Sequence, residues 1–144
     1  MNSQKTRQNP LEELKVNSKL KLAALWSSFM FLYIYVDYFH LYMPGSLEDM
    51  IAGKVFEFEV NKIFTFIGLM SVTIPSLMIF LSVALPAQLN RWTNIISATV
   101  YIPYSMFNLI GEAWPHRFFG AAVEVILLLL IISYALKWPR VEQS

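Results

Sequence analysis

The sequence predicts an all-α integral membrane protein, a single-domain four-helix bundle with both termini in the cytoplasm. Three observations carry that prediction. Of 144 residues, 56% are apolar or aromatic and only 15% are charged, where an ordinary soluble domain carries about 25% charged residues. Four stretches are long and apolar enough to cross a hydrocarbon core, which takes about 20 residues at 1.5 Å each. Lys and Arg fall unevenly on the two sides of those stretches. The same composition argues against a nucleic-acid module, because a net charge of +1 gives no strong field for phosphates. There is no Cys, hence no disulfide, no thiolate zinc site and no Cys nucleophile.

The spans run over about 20–42, 63–85, 92–110 and 118–136. They behave as helices because the runs are continuous and lack the alternation of barrel strands. The first is a retained helix rather than a signal peptide: 19 residues precede it and no Ala-x-Ala-like exit follows. Residues 1–19 form a cytoplasmic tail, in which Asn9, Pro10 and Glu12 make a helix start. With Leu11, Leu14 and the following lysines, that helix suits the anionic inner leaflet. Lys5, Arg7, Lys15, Lys19, Lys21, Arg91, Lys137 and Arg140 lie on one side, against Lys54, Lys62 and Arg117 on the other. The positive-inside bias therefore puts both termini inside. Trp26, Trp92 and Trp138 sit near the inner interface and Trp114 near the outer one, as an aromatic belt requires.

The links Pro86–Arg91 and Gly111–Arg117 are short, which makes spans two and three, and three and four, antiparallel neighbours. Residues 43–62 form a long outer loop. Ser46 and Asp49 have capping-box spacing there, and Gly53 ends the short helix they imply. Phe56, Phe58 and Val60 alternate with Glu57 and Glu59, the pattern of an extended segment. Pro75 and Pro103 fall in mid-span, where each removes a helical hydrogen bond.

Ionisable groups within a span are costly and mark sites. Asp37 and Glu124 each lie about 8–9 Å below the outer boundary, so they share a depth. Trp26, Phe29, Tyr33, Asp37 and His40 fall on one face of the first span, while Tyr35, Tyr38 and Tyr42 point away as a tyrosine girdle or dimer contact. On the third span, Asn94, Ser97, Tyr101, Tyr104, Ser105, Asn108 and Glu112 form a polar stripe, which must face the bundle interior or water. Gly120 and Ala121 allow close approach to the fourth span. Turned inward, these faces line an outer-half pocket of Tyr33, Asp37, His40, Tyr101, Tyr104, Asn108, Glu112 and Glu124. Asn94 and Ser97 extend the stripe toward the cytoplasm; the competing reading is a hydrogen-bonded network that only fixes helix register. No phosphate loop, nucleophile elbow or His-Glu-x-x-His is present. With two histidines, no metal site or cofactor is expected.

Several stretches taken together point to a family: Tyr35-Val36-Asp37, Pro44-Gly45, Ile74-Pro75, Met78-Ile79-Phe80-Leu81-Ser82, Asn90-Arg91-Trp92-Thr93-Asn94-Ile95, Glu124 and Lys137-Trp138-Pro139. The chain after Lys19 resembles the small four-span bacterial membrane proteins grouped as domain of unknown function 6326. It departs from their pattern at Thr73, where an acid is expected before the proline, so that position is assigned no role. The resemblance implies a bacterial multi-pass protein of the inner membrane and no particular activity.

Three functions compete. The favoured one is a module that binds or senses a small amphiphile or membrane lipid, anchored by Asp37 and Glu124. The alternative is a proton-coupled carrier, similar in outline to the small multidrug transporters, which work as dimers; a homodimer is the expected partner in that case. The long outer loop and the second acid depart from that group. The last is an intramembrane isomerase using His40 and an acid as proton donor and acceptor.

Overall fold

A computed structural model describes residues 14–55, 58–111 and 114–139. The described residues are all-helical but for one small hairpin. Their five helices are α1 (Ser18–His40), α2 (Ser46–Ile51), α3 (Lys62–Ala84), α4 (Ala87–Phe107) and α5 (Pro115–Leu136). Three of them, α1, α3 and α5, are long and apolar enough to cross a membrane. The hairpin pairs β1 (Lys54–Val55) with β2 (Phe58–Glu59), antiparallel, with Lys54 opposite Glu59. The alternation at Phe58 and Val60 thus resolves into a short ladder; Phe56 and Glu57 lie outside the described residues.

Each boundary has a local cause. Asn17 caps α1 by accepting from the Lys19 amide at 2.9 Å. Residues 14–17 precede it without helix, and Asn9, Pro10 and Glu12 lie outside the described residues. Gly45, at φ 87°, starts α2, and no side chain caps it, so the expected Ser46 capping box does not form. Gly53, at φ 81°, follows the Ala52 cap and donates to the Met50 carbonyl, so it does end that helix. Asn61 caps α3 through the Phe64 amide. Helix α4 begins directly after Pro86 rather than near Trp92, because the charged Arg91 interrupts hydropathy without interrupting helix. Pro115 occupies the first turn of α5, so Arg117 belongs to the helix and not to the preceding link.

Helix α1 packs against both α3 and α5, α4 packs against α5, and α3 touches α4 more lightly. The core is aromatic where α1 meets α4: Trp26, Phe29, Tyr33 and Tyr101 join Leu22, Met78, Ala98, Leu128 and Ile131. Tyr101 sits edge-on to Phe29 at 5.7 Å and to Trp26 at 6.3 Å, the arrangement aromatic rings favour. Gly120 lets α5 approach α1 closely, since a Cβ there would lie 2.5 Å from Val36 Cγ2. Several polar side chains share the interior with this core, and many large apolar ones lie outside. Ser82, Asn90, Asn94, Ser105, Arg117 and Glu124 are buried, whereas Phe31, Ile63, Phe66, Phe80 and Phe119 are exposed.

Two of the carbonyls that prolines leave without a backbone partner are paired by side chains. Pro75 has no N–H for the Ser71 carbonyl, and the Tyr101 hydroxyl donates to it at 2.7 Å. Pro86 has none for the Ser82 carbonyl, and Asn90 Nδ2 donates to it at 2.6 Å. The Lys19 ammonium donates to the Val83 and Leu85 carbonyls at 3.1 and 2.7 Å, closing the negative end of α3.

Candidate functional site

The polar stripe of α4 divides into two parts with different chemistry. Its inner part is a closed network. Asn94 Oδ1 accepts from Trp26 Nε1 at 2.7 Å and from Ser82 Oγ at 3.2 Å. Its Nδ2 donates to the carbonyl and Oδ1 of Asn90 at 2.8 and 2.7 Å. These groups spend their bonding capacity on one another, which ties α1, α3 and α4 in register. A tyrosine layer lies above it. Tyr33 Oη is 3.1 Å from Tyr104 Oη and 3.3 Å from Ser71 Oγ, and Ser71 Oγ in turn donates to the Gly68 carbonyl at 2.7 Å.

The outer part holds the charges. Arg117 Nη1 donates to Asp37 Oδ1 at 3.1 Å, and Nη2 reaches the Asn108 carbonyl at 3.4 Å. Arg117 is only 5% exposed, while the Asp37 side chain remains 56% exposed. A cation in the first turn of a helix opposes the helix dipole, so its acid neighbours offset an unfavourable position. Glu124, two turns further along α5, is buried with Ser105, Asp37 and Arg117 as the groups acting on its carboxyl. Ser105, buried on α4, lies against that carboxyl.

Tyr33, Asp37, Ser105, Asn108, Arg117 and Glu124 line a cleft of about 10 Å³. That is about the space of one water molecule, too small for an amphiphile. Of the residues the sequence singles out, Tyr33, Asp37, Asn108 and Glu124 reach this cleft. Tyr101 and Tyr104 lie in the layer beside it, with Tyr101 committed to the Ser71 carbonyl. His40 stands further out, its Nε2 3.4 Å from Ser46 Oγ. Glu112 lies outside the described residues.

Arg117 and Ser105 complete the cleft, and Arg117 is the residue that sequence reasoning misplaces. Counted as an outer-loop cation, it turns out to be the buried partner of Asp37. The signal that finds it is Pro115, which as a first-turn proline puts Arg117 on the first turn of α5.

A second cavity, of about 340 Å³, opens where α1 ends and α5 begins, lined by Phe39, Tyr42, Met43, Trp114 and His116. It lies on the same two helix ends as the ion pair.

Residues 11–144 match a family model described as a family of unknown function (DUF6326). No curated protein and no solved structure matches the chain.

Proposed function

The chain belongs to that family of unknown function, and we propose that it is a four-span bacterial inner-membrane protein whose outer half binds or senses a small amphiphile or lipid. Spans α1, α3 and α5 are joined in this reading by α4, whose stripe of Asn, Ser and Tyr lowers its hydropathy while facing inward. Exposed apolar rings around buried polar groups are the distribution expected of a chain surrounded by lipid. The excess of Lys and Arg on the side of the termini supports an inside position for both.

The observation that carries the binding function is the half-exposed Asp37. A carboxylate at that depth needs a polar partner on every side. Arg117 covers one side, and a ligand's polar group covers the open one. The carrier alternative requires a polar route through the inner half, where Trp26, Asn94, Asn90 and Ser82 bond to each other instead. Tyr35, Tyr38 and Tyr42 form an exposed face suited to a girdle or to a second copy of the chain.

Native mass spectrometry of the protein released from mild detergent tests this reading. A retained species of defined mass, lost in the Asp37→Asn, Glu124→Gln variant, is the expected result. No retained species, or one indifferent to both substitutions, overturns it. The same spectrum gives the oligomeric state. The absence of Cys makes single-Cys labelling at Leu47→Cys and Lys137→Cys a clean topology test, with only the former labelled from outside.

A further inference from the structure

The lobe that joins α1 to α3 carries apolar side chains that the bundle leaves open. We infer that α2 and its hairpin are an interfacial anchor, with Leu47, Ile51 and Phe58 seated among the lipid headgroups where these meet the acyl chains. This anchor is independent of the ligand proposed above and shares with it only the membrane-spanning assignment.

Both elements of the lobe separate apolar from charged side chains. Leu47 and Ile51 are four residues apart on one face of α2, where they are 54% and 81% exposed. Asp49 falls on the opposite face of the same helix and Glu48 on its flank. In the hairpin Lys54 opposes Glu59 and Val55 opposes Phe58. Directly opposed residues share a face, so the charges take one side of the ladder and the apolar pair the other. Helix α2 packs on β1, which makes the two elements one lobe. Apolar faces of this kind, open on one side and backed by charge, are what a segment lying in a membrane interface presents.

Position selects lipid as the partner. Ser46 Oγ lies 3.4 Å from Nε2 of His40, the last residue of α1. Phe58 stacks at 6.2 Å on Phe64, in the first turn of α3. The lobe is thus fastened to the end of one helix and the start of the next, both long and apolar enough to cross a membrane. That holds it at the depth of the headgroups, whichever way the spans are oriented. The apolar surface is also continuous. Beyond Phe58 run Ile63, Phe66 and Ile67 of α3, each at least 60% exposed. The wall that meets acyl chains along α3 therefore extends onto the lobe.

The chain has no Cys, so single spin labels report without background. The full chain, reconstituted in phosphatidylcholine vesicles, is labelled in turn at Leu47→Cys, Ile51→Cys, Asp49→Cys and Phe66→Cys. All four positions are exposed, and unchanged melting temperatures show the variants to be folded. Collision rates are measured with oxygen, which partitions into hydrocarbon, and with a nickel chelate, which stays in water. The oxygen-to-chelate ratio at Leu47 and Ile51 should exceed that at Asp49 at least about threefold and stay below that at Phe66, as headgroup depth requires. Equal ratios on the two faces of α2 overturn the inference while the spans stand. Labels at Leu47 and Ile51 shielded from both reagents assign that face to a protein partner and also overturn it. A Phe66 label that favours the chelate overturns the membrane-spanning assignment and the anchor with it.

Discussion

The Tyr101 hydroxyl donates at 2.7 Å to the carbonyl of Ser71, which lies four residues before Pro75. A helix proline withdraws one N–H and leaves one carbonyl without its partner. Tyr101, reaching across from α4, supplies the missing donor. The tyrosine and the proline therefore work as a pair, although they are on different helices and 26 residues apart in sequence.

Tyr101→Phe should destabilise the protein by about 1–2 kcal/mol, the usual cost of leaving a part-buried carbonyl unpaired. Pro75→Ala returns an N–H to the Ser71 carbonyl, so Tyr101→Phe should cost clearly less in that background. Thermal unfolding in detergent, followed by far-UV circular dichroism on all four members of the cycle, measures the coupling. Equal losses in both backgrounds would sink the pairing.

Asn94 is the most connected side chain of the inner network, with bonds to Trp26, Ser82 and Asn90. Asn94→Leu leaves a buried indole N–H, a serine hydroxyl and an amide oxygen short of partners. The expected loss is about 2–3 kcal/mol, toward the top of the range for an unsatisfied buried group. Ser97→Ala, on the same stripe but only half-buried, should stay within about 0.5 kcal/mol. The contrast in melting temperature is the measurement. If the outer site is independent, neither substitution should alter retention of its ligand.

The sequence carries more of this architecture than of its charges. Long apolar runs place α1, α3 and α5 to within a few residues, and the phase of Asn94, Tyr101 and Ser105 puts the polar face of α4 inside. Hydropathy fails at the ends, where Arg91 and Arg117 look like loop residues and are helical. Pro86 and Pro115 mark those starts better than composition does, because proline belongs at or just before a first helical turn. That Asp37 and Glu124 lie at one level is legible, since a rise per residue converts position to height, and both line the same cleft. The ion pair is not, because it depends on which helices become neighbours, and α1 packs against α5, its most distant partner in sequence. The proline repairs at Ser71 and Ser82 are hidden for the same reason.

Gly120 faces Val36 with no space for a side chain, a Cβ there meeting Val36 Cγ2 at 2.5 Å. Gly120→Ala should force α1 and α5 apart or drive Val36 off its rotamer, at about 1–3 kcal/mol. Val36→Ala alone removes buried volume and costs something, yet in the double variant the two changes should compensate partly. A double variant no more stable than the sum of its parts would show that the contact is not limiting. Because Val36 also borders the charged cleft, Gly120→Ala should weaken ligand retention even in folded protein.

The Asp37–Arg117 pair makes the last prediction, and its two ends are unequal. Arg117 is 5% exposed and Asp37 is 56% exposed, so the guanidinium has given up nearly all its water and the carboxylate much less. An exposed ion pair is worth about 0–1 kcal/mol and a fully buried one can cost more than it returns. This pair falls between those limits. A double-mutant cycle of Asp37→Asn and Arg117→Gln should give a favourable coupling of about 1 kcal/mol, within the range for groups in contact. Ligand retention should separate the partners more sharply than stability does. Asp37→Asn removes the open carboxylate and should abolish retention of the ligand. Arg117→Gln removes the competing cation from its other side and should leave retention equal or stronger in the fraction that folds. Native mass spectrometry of both variants at matched folded fraction decides the matter, and a loss of ligand in Arg117→Gln equal to that in Asp37→Asn would mean that the intact pair, not the free side of Asp37, holds the ligand.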